Sequence, residues 1–421
     1  MEKEINQRLK EIYNVLQEVS KTNLQEDRPA NISLMDGKAG TLLFNFTYLQ
    51  HTGNPALSQY LNEIVQELAE GAIVATEPAF CNGKAGINWV FAYLFKKDLL
   101  NLSDWQLLCD QDGELEEIAI KMLENGNYDF LYGALGIAWY LLYTQKDYGH
   151  FLKNLFQLLK HLESESAAKN IIPLFDHQRY QPAPDRVDMG LSHGITSILK
   201  FCLQSYAQNM CAEEAKSLAE KIINFLTEHA HSGEALSFFP NFVRVNVAED
   251  GKGVSRVGAS DDKDTSEARQ EQGQSRLAWC YGDLGIGYIL YQAGILFNNG
   301  EIAKFALQVL THCTRRKTDP DTMLKDSGIC HGSAGIAHIF NKVWHDTRQP
   351  VFKDACDYWI QKTLDMAIYS DGFAGYKKYG GSTGEYEKTP ALIDGVAGIG
   401  LVLLSYLTGD FSWDYCFMLS N

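Results

Sequence analysis

The sequence repeats one short pattern seven times, and this repeat restricts the fold more than any other feature. A Gly-x-x-Gly pair opens an apolar stretch at six places, and a seventh, degenerate copy reads Gly194-Ile-Thr-Ser197. The first glycines lie 46 to 88 residues apart, which is enough for two helices and their connections. Each repeat is therefore predicted to be a helical hairpin. The first glycines are Gly37, Gly83, Gly133, Gly194, Gly282, Gly332 and Gly395.

The two helices of each hairpin differ in their apolar patterns. The segment that follows the glycines is almost wholly apolar, as in Ile399-Gly-Leu-Val-Leu-Leu404, which is typical of a helix buried on nearly every side. The other segment carries one apolar stripe at helical spacing, as at Leu152, Leu155, Phe156 and Leu159. This alternation predicts about seven inner helices enclosed by about seven outer helices.

The end repeats are as regular as the middle ones. Leu34-Met-Asp-Gly-Lys-Ala-Gly40 and Leu392-Ile-Asp-Gly-Val-Ala-Gly398 show no polar caps, whereas an open array of repeats carries such caps at both ends. We therefore predict an all-α fold, an α/α toroid, made by a single domain over residues 1–421. Glycines at the helix starts then permit close approach of the backbone.

One region interrupts the repeat. Residues from about 232 to 275 lengthen the fourth interval, and the part that begins at Phe238 alternates like a short strand. The following part is polar and rich in turn residues. We expect a short irregular or β-like insertion, either a disordered connector or a mobile flap that ends close to Arg276.

Composition excludes several classes of function. The net charge of -16 opposes general binding to nucleic acid or anionic lipid, and a basic or flexible peptide partner fits better. No stretch is long and apolar enough for an integral membrane segment, and the charged start of the chain lacks the apolar core of a signal peptide. We expect a cytoplasmic protein, free or peripheral in a membrane-associated complex. The run Arg315-Arg316-Lys317 is interpreted as a solvated helix end.

Three residues of metal-binding types occupy related places in two repeats. Cys330 and His331 directly precede Gly332, and Cys280 has the place of Cys330 relative to Gly282. Two thiolates and an imidazole suit zinc, and three protein ligands leave one coordination position open, as in catalytic sites. The sequence predicts a catalytic zinc ion. A structural zinc ion with a fourth protein ligand, or no metal, is the alternative.

These motifs resemble those of the lanthionine synthetase C family over essentially the whole chain. The resemblance rests on Trp279-Cys280-Tyr281-Gly282, Cys330-His331-Gly332 and Ser192-His193-Gly194, set among the seven helix starts. It implies an α/α toroid whose central zinc ion is held by Cys280, Cys330 and His331. It also implies a dehydrated precursor peptide as substrate, with a leader and a Cys-containing core, and a dehydratase as partner. The chain length resembles the stand-alone cyclases.

The reaction that this family implies is the addition of a peptide cysteine to dehydroalanine or dehydrobutyrine. Zinc activates the thiol, and the enolate that forms needs a cation and a proton donor. His193 is the candidate acid because it has the place of His331 in its own repeat. Asp129 matches the family position that pairs with this histidine, and Arg276 and Tyr281 match further active-site positions.

Plainer roles stay open for these four residues. His193 is otherwise a capping or core histidine, and Asp129 a carboxylate that accepts from free amides at a helix start. Arg276 is otherwise part of a surface ion pair, and packing or a hydrogen bond to a residue next to the metal ligands accounts for Tyr281 as well as proton transfer does. His338, seven residues after His331, is predicted to be a core histidine.

Other functions also fit parts of the pattern. A relative that adds glutathione to dehydroamino acids would keep the zinc ion and the sulfur chemistry. A non-catalytic scaffold that binds the precursor peptide would have no need of the intact Cys, His and Asp set. A toroidal glycoside hydrolase is weaker, because no pair of carboxylates stands out and the metal ligands would be unexplained.

Overall fold

The computed structural model describes residues 1–23, 31–101, 105, 112–165, 171–176, 181–183, 185–231, 235–244 and 274–420. A helix begins one residue after each of the seven first glycines, so the predicted helix starts are confirmed. Nearly every residue of these helices is buried apart from their last turns. They are Lys38–Thr52, Lys84–Lys96, Ala134–Thr144, Ile195–Ala207, Asp283–Leu296, Ser333–Thr347 and Val396–Thr408.

A second set of helices is amphipathic. In Gly149–Glu165, for example, Leu152, Leu155 and Leu159 are buried while Lys160 is exposed, which confirms the predicted stripe. The set within the described residues is Glu2–Asn23, Leu57–Val74, Asp112–Glu124, Gly149–Glu165, Ala212–Glu228, Gly300–Cys313 and Pro350–Asp365. Shorter helical turns are Asp319–Thr322, Gly381–Thr383 and Ser412–Phe417. In this part of the chain no helix is long and apolar enough to cross a membrane.

The chain divides into two compact units, and the first combines Met1–Gln111 with Leu324–Ser420. Here Val396–Thr408 packs against Lys38–Thr52, so the last buried helix lies beside the first. The backbone N–H groups of Leu392 and Ile393 donate to the Met35 carbonyl oxygen at 2.9 and 3.1 Å. The first and last repeats are therefore neighbours, as a closed array of repeats requires. A short hairpin pairs Lys378–Tyr379 with Tyr386–Glu387.

The second unit is Asp112–Met323. Its buried helices pack against amphipathic partners, as Asp283–Leu296 does against Gly300–Cys313. Two antiparallel pairs of strands join Leu174–Asp176 to Gln181–Ala183 and Arg186–Asp188 to Phe242–Arg244. The last of these strands lies in the region predicted to be β-like. The polar part of that insertion, residues 245–273, lies outside the described residues, and the single-domain assignment stays a prediction.

A tight turn precedes the buried helices and explains their glycines. A Cβ atom added at Gly335 would lie 1.9 Å from the Ile329 carbonyl oxygen, so the close approach is to the turn six residues earlier. Gly282 has a φ of +87°, a conformation that favours glycine, and its Cβ would lie 2.5 Å from the Arg276 carbonyl oxygen.

The residue six positions before the first glycine closes this turn in several repeats, and we call it the turn residue. Its side-chain oxygen Oδ1 accepts a hydrogen bond from the backbone N–H two residues later, which is the geometry of an Asx turn. The turn residues with this bond are Asn31, Asn127, Asp188 and Asp326, with Ser33, Asp129, Gly190 and Gly328 as donors.

Candidate active site

The three predicted metal ligands lie together. One ligand atom from each of Cys280, Cys330 and His331 is within 4.8 Å of the others. Cys280 is buried, and the other two side chains are half-buried. Two thiols and one imidazole form a donor set that suits zinc, and three such ligands leave a position for water or a substrate atom. The residues present therefore fit a zinc ion.

A buried carboxylate lies beside His331. Asp326 is the turn residue of the same repeat, and its Oδ2 is 3.7 Å from His331 Nε2. That oxygen also accepts a hydrogen bond from the Tyr379 backbone N–H at 3.0 Å. The hairpin that contains Tyr379 thus fixes the carboxylate that faces the histidine. Carboxylates in this position commonly orient a metal-binding imidazole.

His193 forms a hydrogen bond with Asp129. The Nδ1 atom of His193 donates to Asp129 Oδ2 at 2.5 Å, and Asp129 is only 1% exposed. Burial alone would lower the pKa of His193, but the charge and the hydrogen bond of Asp129 outweigh it and raise the pKa to about 9. Asp129 Oδ1 accepts from the Tyr132 backbone N–H at 2.7 Å. Asp129 therefore serves the helix start and the histidine at once.

Two tyrosine rings flank His193. The ring of Tyr132 is stacked with that of His193 at a centroid distance of 6.2 Å, and the ring of Tyr281 lies at 6.3 Å. The Tyr281 hydroxyl donates to Asp188 Oδ2 at 2.9 Å. Burial and the Asp188 charge hold the pKa of Tyr281 well above its ordinary value. The phenol stays protonated, and its proton is directed at Asp188.

Arg276 is half-buried, and its Nε atom is buried without a hydrogen-bond partner among the described residues. The backbone beside it is held by Arg316, whose guanidinium donates to the Ser275 carbonyl oxygen at 2.6 Å. Arg316 is 2% exposed and lies 3.6 Å from the buried carboxylate of Asp283. The interpretation of Arg316 as part of a solvated helix end is therefore wrong, because it fixes the segment that leads into the site.

The sequence model of the family described as "Lanthionine synthetase C-like protein" matches residues 28–418. This chain belongs to the lanthionine synthetase C-like family. The predicted class of enzyme is thereby confirmed at the level of the family.

This chain is similar to a curated protein and to a solved structure. The nisin biosynthesis protein NisC of Lactococcus lactis subsp. lactis is 24% identical over 358 residues, which cover 80% of this chain and 79% of that protein. The structure of nisin cyclase aligns with a TM-score of 0.70 at 18% identity and covers 96% of both chains. The structural similarity shows the fold, so the predicted all-α toroid is confirmed.

Three residues near the predicted site of this lanthionine synthetase C-like protein were missed from the sequence. Asp188 and Asp326 are turn residues, and Tyr132 directly precedes the first glycine of its repeat, as His193, Tyr281 and His331 do in theirs. Aligning the repeats by their first glycines would have singled out these positions. The alignment would not have shown which side chains they contact.

Proposed function

We propose that this protein is a zinc-dependent lanthipeptide cyclase. In the proposed reaction the thiol of a precursor-peptide cysteine adds to dehydroalanine or dehydrobutyrine and forms a lanthionine or methyllanthionine thioether ring. The sulfur bonds to the β-carbon, and a proton is delivered to the α-carbon. The observation that carries the proposal is the cluster of Cys280, Cys330 and His331, which suits a thiol-binding zinc ion.

Cys280, Cys330 and His331 would hold the zinc ion, and a zinc ion bound there would supply the activation of a substrate thiol to the more nucleophilic thiolate. Cys280 lies in a buried loop. The backbone carbonyl oxygen of Cys280 accepts hydrogen bonds from the backbone N–H groups of Leu191 and Ser192 at 2.9 and 3.3 Å. This ligand therefore has a fixed backbone.

His193 is assigned as the acid that protonates the α-carbon. Its hydrogen bond to Asp129 favours the charged imidazolium near neutral pH, and Asp129 fixes which ring nitrogen faces away from the carboxylate. Nδ1 donates to Asp129, so Nε2 is assigned as the nitrogen that donates the proton to the substrate.

Arg276 is assigned to the enolate oxygen. A guanidinium aimed at developing negative charge stabilises the transition state most when the site is shielded from water. The buried Nε atom and the fixed backbone around Ser275 support this role. Tyr281 supplies a fixed phenol beside His193 rather than the proton itself, because its hydroxyl proton is directed at Asp188.

The substrate carries dehydrated Ser and Thr residues, so a dehydratase must act before this enzyme, and we place both in the cytoplasm. The test is incubation with a dehydrated precursor peptide, followed by thiol alkylation and mass spectrometry. Ring closure leaves the peptide mass unchanged but protects one cysteine from alkylation. Wild-type protein should protect the cysteines, and Cys330→Ala should not. Equal protection by both proteins would contradict the proposal.

A parallel incubation with glutathione tests the rival thiol. An increase in peptide mass by glutathione, without loss of free peptide thiols, would favour a soluble nucleophile over an intramolecular one. Elemental analysis should find one zinc ion per chain, and a zinc content near zero would contradict the metal assignment.

A further inference from the structure

The turn residues differ between repeats in a way that the turn itself does not require. Asn31 and Asn127 close their turns with the Oδ1 atom of a side-chain amide. Asp188 and Asp326 make the same bond with Oδ1, at 2.7 and 3.0 Å. A neutral amide is therefore sufficient for the turn. The carboxylates of the other two turn residues leave a second oxygen that an amide would replace with a donor NH2 group.

The second oxygen of Asp188 holds the hydroxyl group of Tyr281. The two atoms are 2.9 Å apart, and Asp188 is 4% exposed. Burying a carboxylate is costly unless hydrogen bonds compensate it, and Gly190 N–H and Tyr281 O–H provide them. The backbone of Asp188 is paired with that of Phe242 in the short sheet, so the backbone from which the carboxylate extends is held in place.

We propose that Asp188 is a positioning residue of the cyclase, which acts by holding the phenol of Tyr281 beside His193. This inference rests on the proposed function. The bond to Asp188 fixes the direction of the Tyr281 O–H, so the phenol oxygen faces its surroundings as an acceptor. Proton delivery is then left to His193, whose ring lies 6.3 Å from that of Tyr281.

The Asp188→Asn variant separates this role from the turn. Asn31 and Asn127 show that asparagine closes the turn, so the variant should fold with unchanged stability and zinc content. Its Nδ2 group donates and cannot accept from the tyrosine, so Tyr281 loses its partner. The same reasoning gives Asp326→Asn as a matched variant, which removes the carboxylate beside His331 and leaves the Asp188–Tyr281 bond in place.

A double-mutant cycle tests the proposal through the rate of ring formation. Asp188→Asn should slow the wild-type reaction by roughly tenfold to a hundredfold, the effect of losing a hydrogen bond to a charged group. In a Tyr281→Phe background it should change the rate by less than about twofold, because the partner is already gone. Equal losses in both backgrounds would overturn the proposal, and so would an unchanged rate in the single variant.

A substrate-free measurement reads the contact by itself. Ultraviolet resonance Raman difference spectra, wild type minus Tyr281→Phe, isolate the Tyr281 signal, whose ring doublet reports whether the phenol is a strong donor. Asp188→Asn should shift this signal toward that of a weak donor, and Asp326→Asn should leave it unchanged. A Tyr281 signal unaffected by Asp188→Asn would overturn the proposal. Absence of ring formation by wild-type protein would instead contradict the proposed function.

Discussion

The two repeats that carry a histidine before their first glycine share a local frame but differ in the partners of that histidine. His193 follows Ser192 and bonds to Asp129 at 2.5 Å. His331 follows Cys330, belongs to the cluster of soft ligands and lies 3.7 Å from Asp326. The repeat thus fixes the backbone position of the histidine, and the residues around the imidazole determine its chemistry. A serine-to-cysteine difference separates a proposed acid from a proposed metal ligand.

The carboxylates of the two histidines come from different places. Asp326 belongs to the same repeat as His331 and uses Oδ2 to accept from the Tyr379 N–H at 3.0 Å. Asp129 belongs to the preceding repeat and brings Oδ2 to His193 as a short hydrogen bond. A closer carboxylate favours an imidazolium, whereas a metal needs a neutral imidazole. The pairing between repeats therefore matters as much as the residue type.

The largest expected effect is on the cysteine that distinguishes the two repeats. Cys330→Ala should abolish zinc binding and lower the rate of ring formation on the order of a thousandfold or more, because residues that act as one unit fail together. Cys81→Ala is the matched control, since Cys81 also lies two residues before the first glycine of its repeat but is outside the ligand cluster. Zinc retained by Cys330→Ala, or lost equally from Cys81→Ala, would break the comparison.

Removal of the other histidine should leave the metal in place. His193→Asn should slow ring formation by roughly a hundredfold to ten-thousandfold, the usual effect of losing a general acid, with zinc content unchanged. The exposed His150 provides the control His150→Asn, which should have wild-type activity. A loss of less than about threefold in His193→Asn would mean that another group supplies the proton.

The helix starts could be predicted from the sequence because the repeat is local. Glycine spacing identified all seven, and the same register brought Cys280 and Cys330 into equivalent places. Asp188 was missed because its second oxygen serves Tyr281, which lies 93 positions later in the chain. Nothing near Asp188 in the sequence distinguishes a carboxylate that bonds a distant phenol from one that only closes a turn.

Charge runs and long-range pairs were less predictable. Arg316 follows another arginine and precedes a lysine, a pattern typical of a solvent-exposed segment. It is nevertheless buried against Asp283. Whether such a cation is buried depends on a carboxylate elsewhere in the fold. The pairing of Asp129 with His193 was likewise indicated by resemblance to a family and not by spacing. Their catalytic roles stay predictions.

An intermediate effect is expected at the Asp129–His193 pair, where the test is the pH profile. The pKa of His193 is about 9, above its ordinary 6.5, so the charged acid should persist until the pH rises through about 9. Asp129→Asn removes the main cause of the increase, and burial then lowers the pKa. The basic limb of the profile should move from about 9 toward 6.5, which at pH 7 would leave about a quarter of the imidazole charged and lower the rate roughly fourfold.

The same pair predicts a pH-dependent stability. A group whose pKa is raised in the folded state contributes its full stabilising free energy below the unfolded pKa of 6.5. This contribution is lost as the pH rises through about 9. The difference in unfolding free energy between wild type and Asp129→Asn, measured by urea denaturation, should therefore shrink between these limits. An unchanged basic limb together with a pH-independent difference would contradict the assignment of Asp129.

The smallest effect on catalysis is expected near a third histidine, His338, which lies in the helix that follows Cys330 and His331. His338 is 1% exposed, which confirms it as a core residue, and its Nε2 lies 2.7 Å from Asp414 Oδ2. Lys342 Nζ is 2.9 Å from the same oxygen. Burial keeps the pKa of His338 below its ordinary value despite this bond. A buried Asp–His pair alone therefore does not produce a proton donor.

Asp414→Ala should consequently affect stability and not chemistry. It leaves the Lys342 ammonium buried without its carboxylate, which should lower the unfolding free energy by about 3–5 kcal/mol. Glu117→Ala, which removes a well-exposed carboxylate 4.0 Å from Lys121, should cost less than about 1 kcal/mol. Folded Asp414→Ala should keep its zinc and close rings within about twofold of the wild-type rate, since His338 is outside the ligand cluster. A large loss of zinc or rate in the folded variant would show that the buried network of His338, Lys342 and Asp414 supports His331, which lies seven residues before His338.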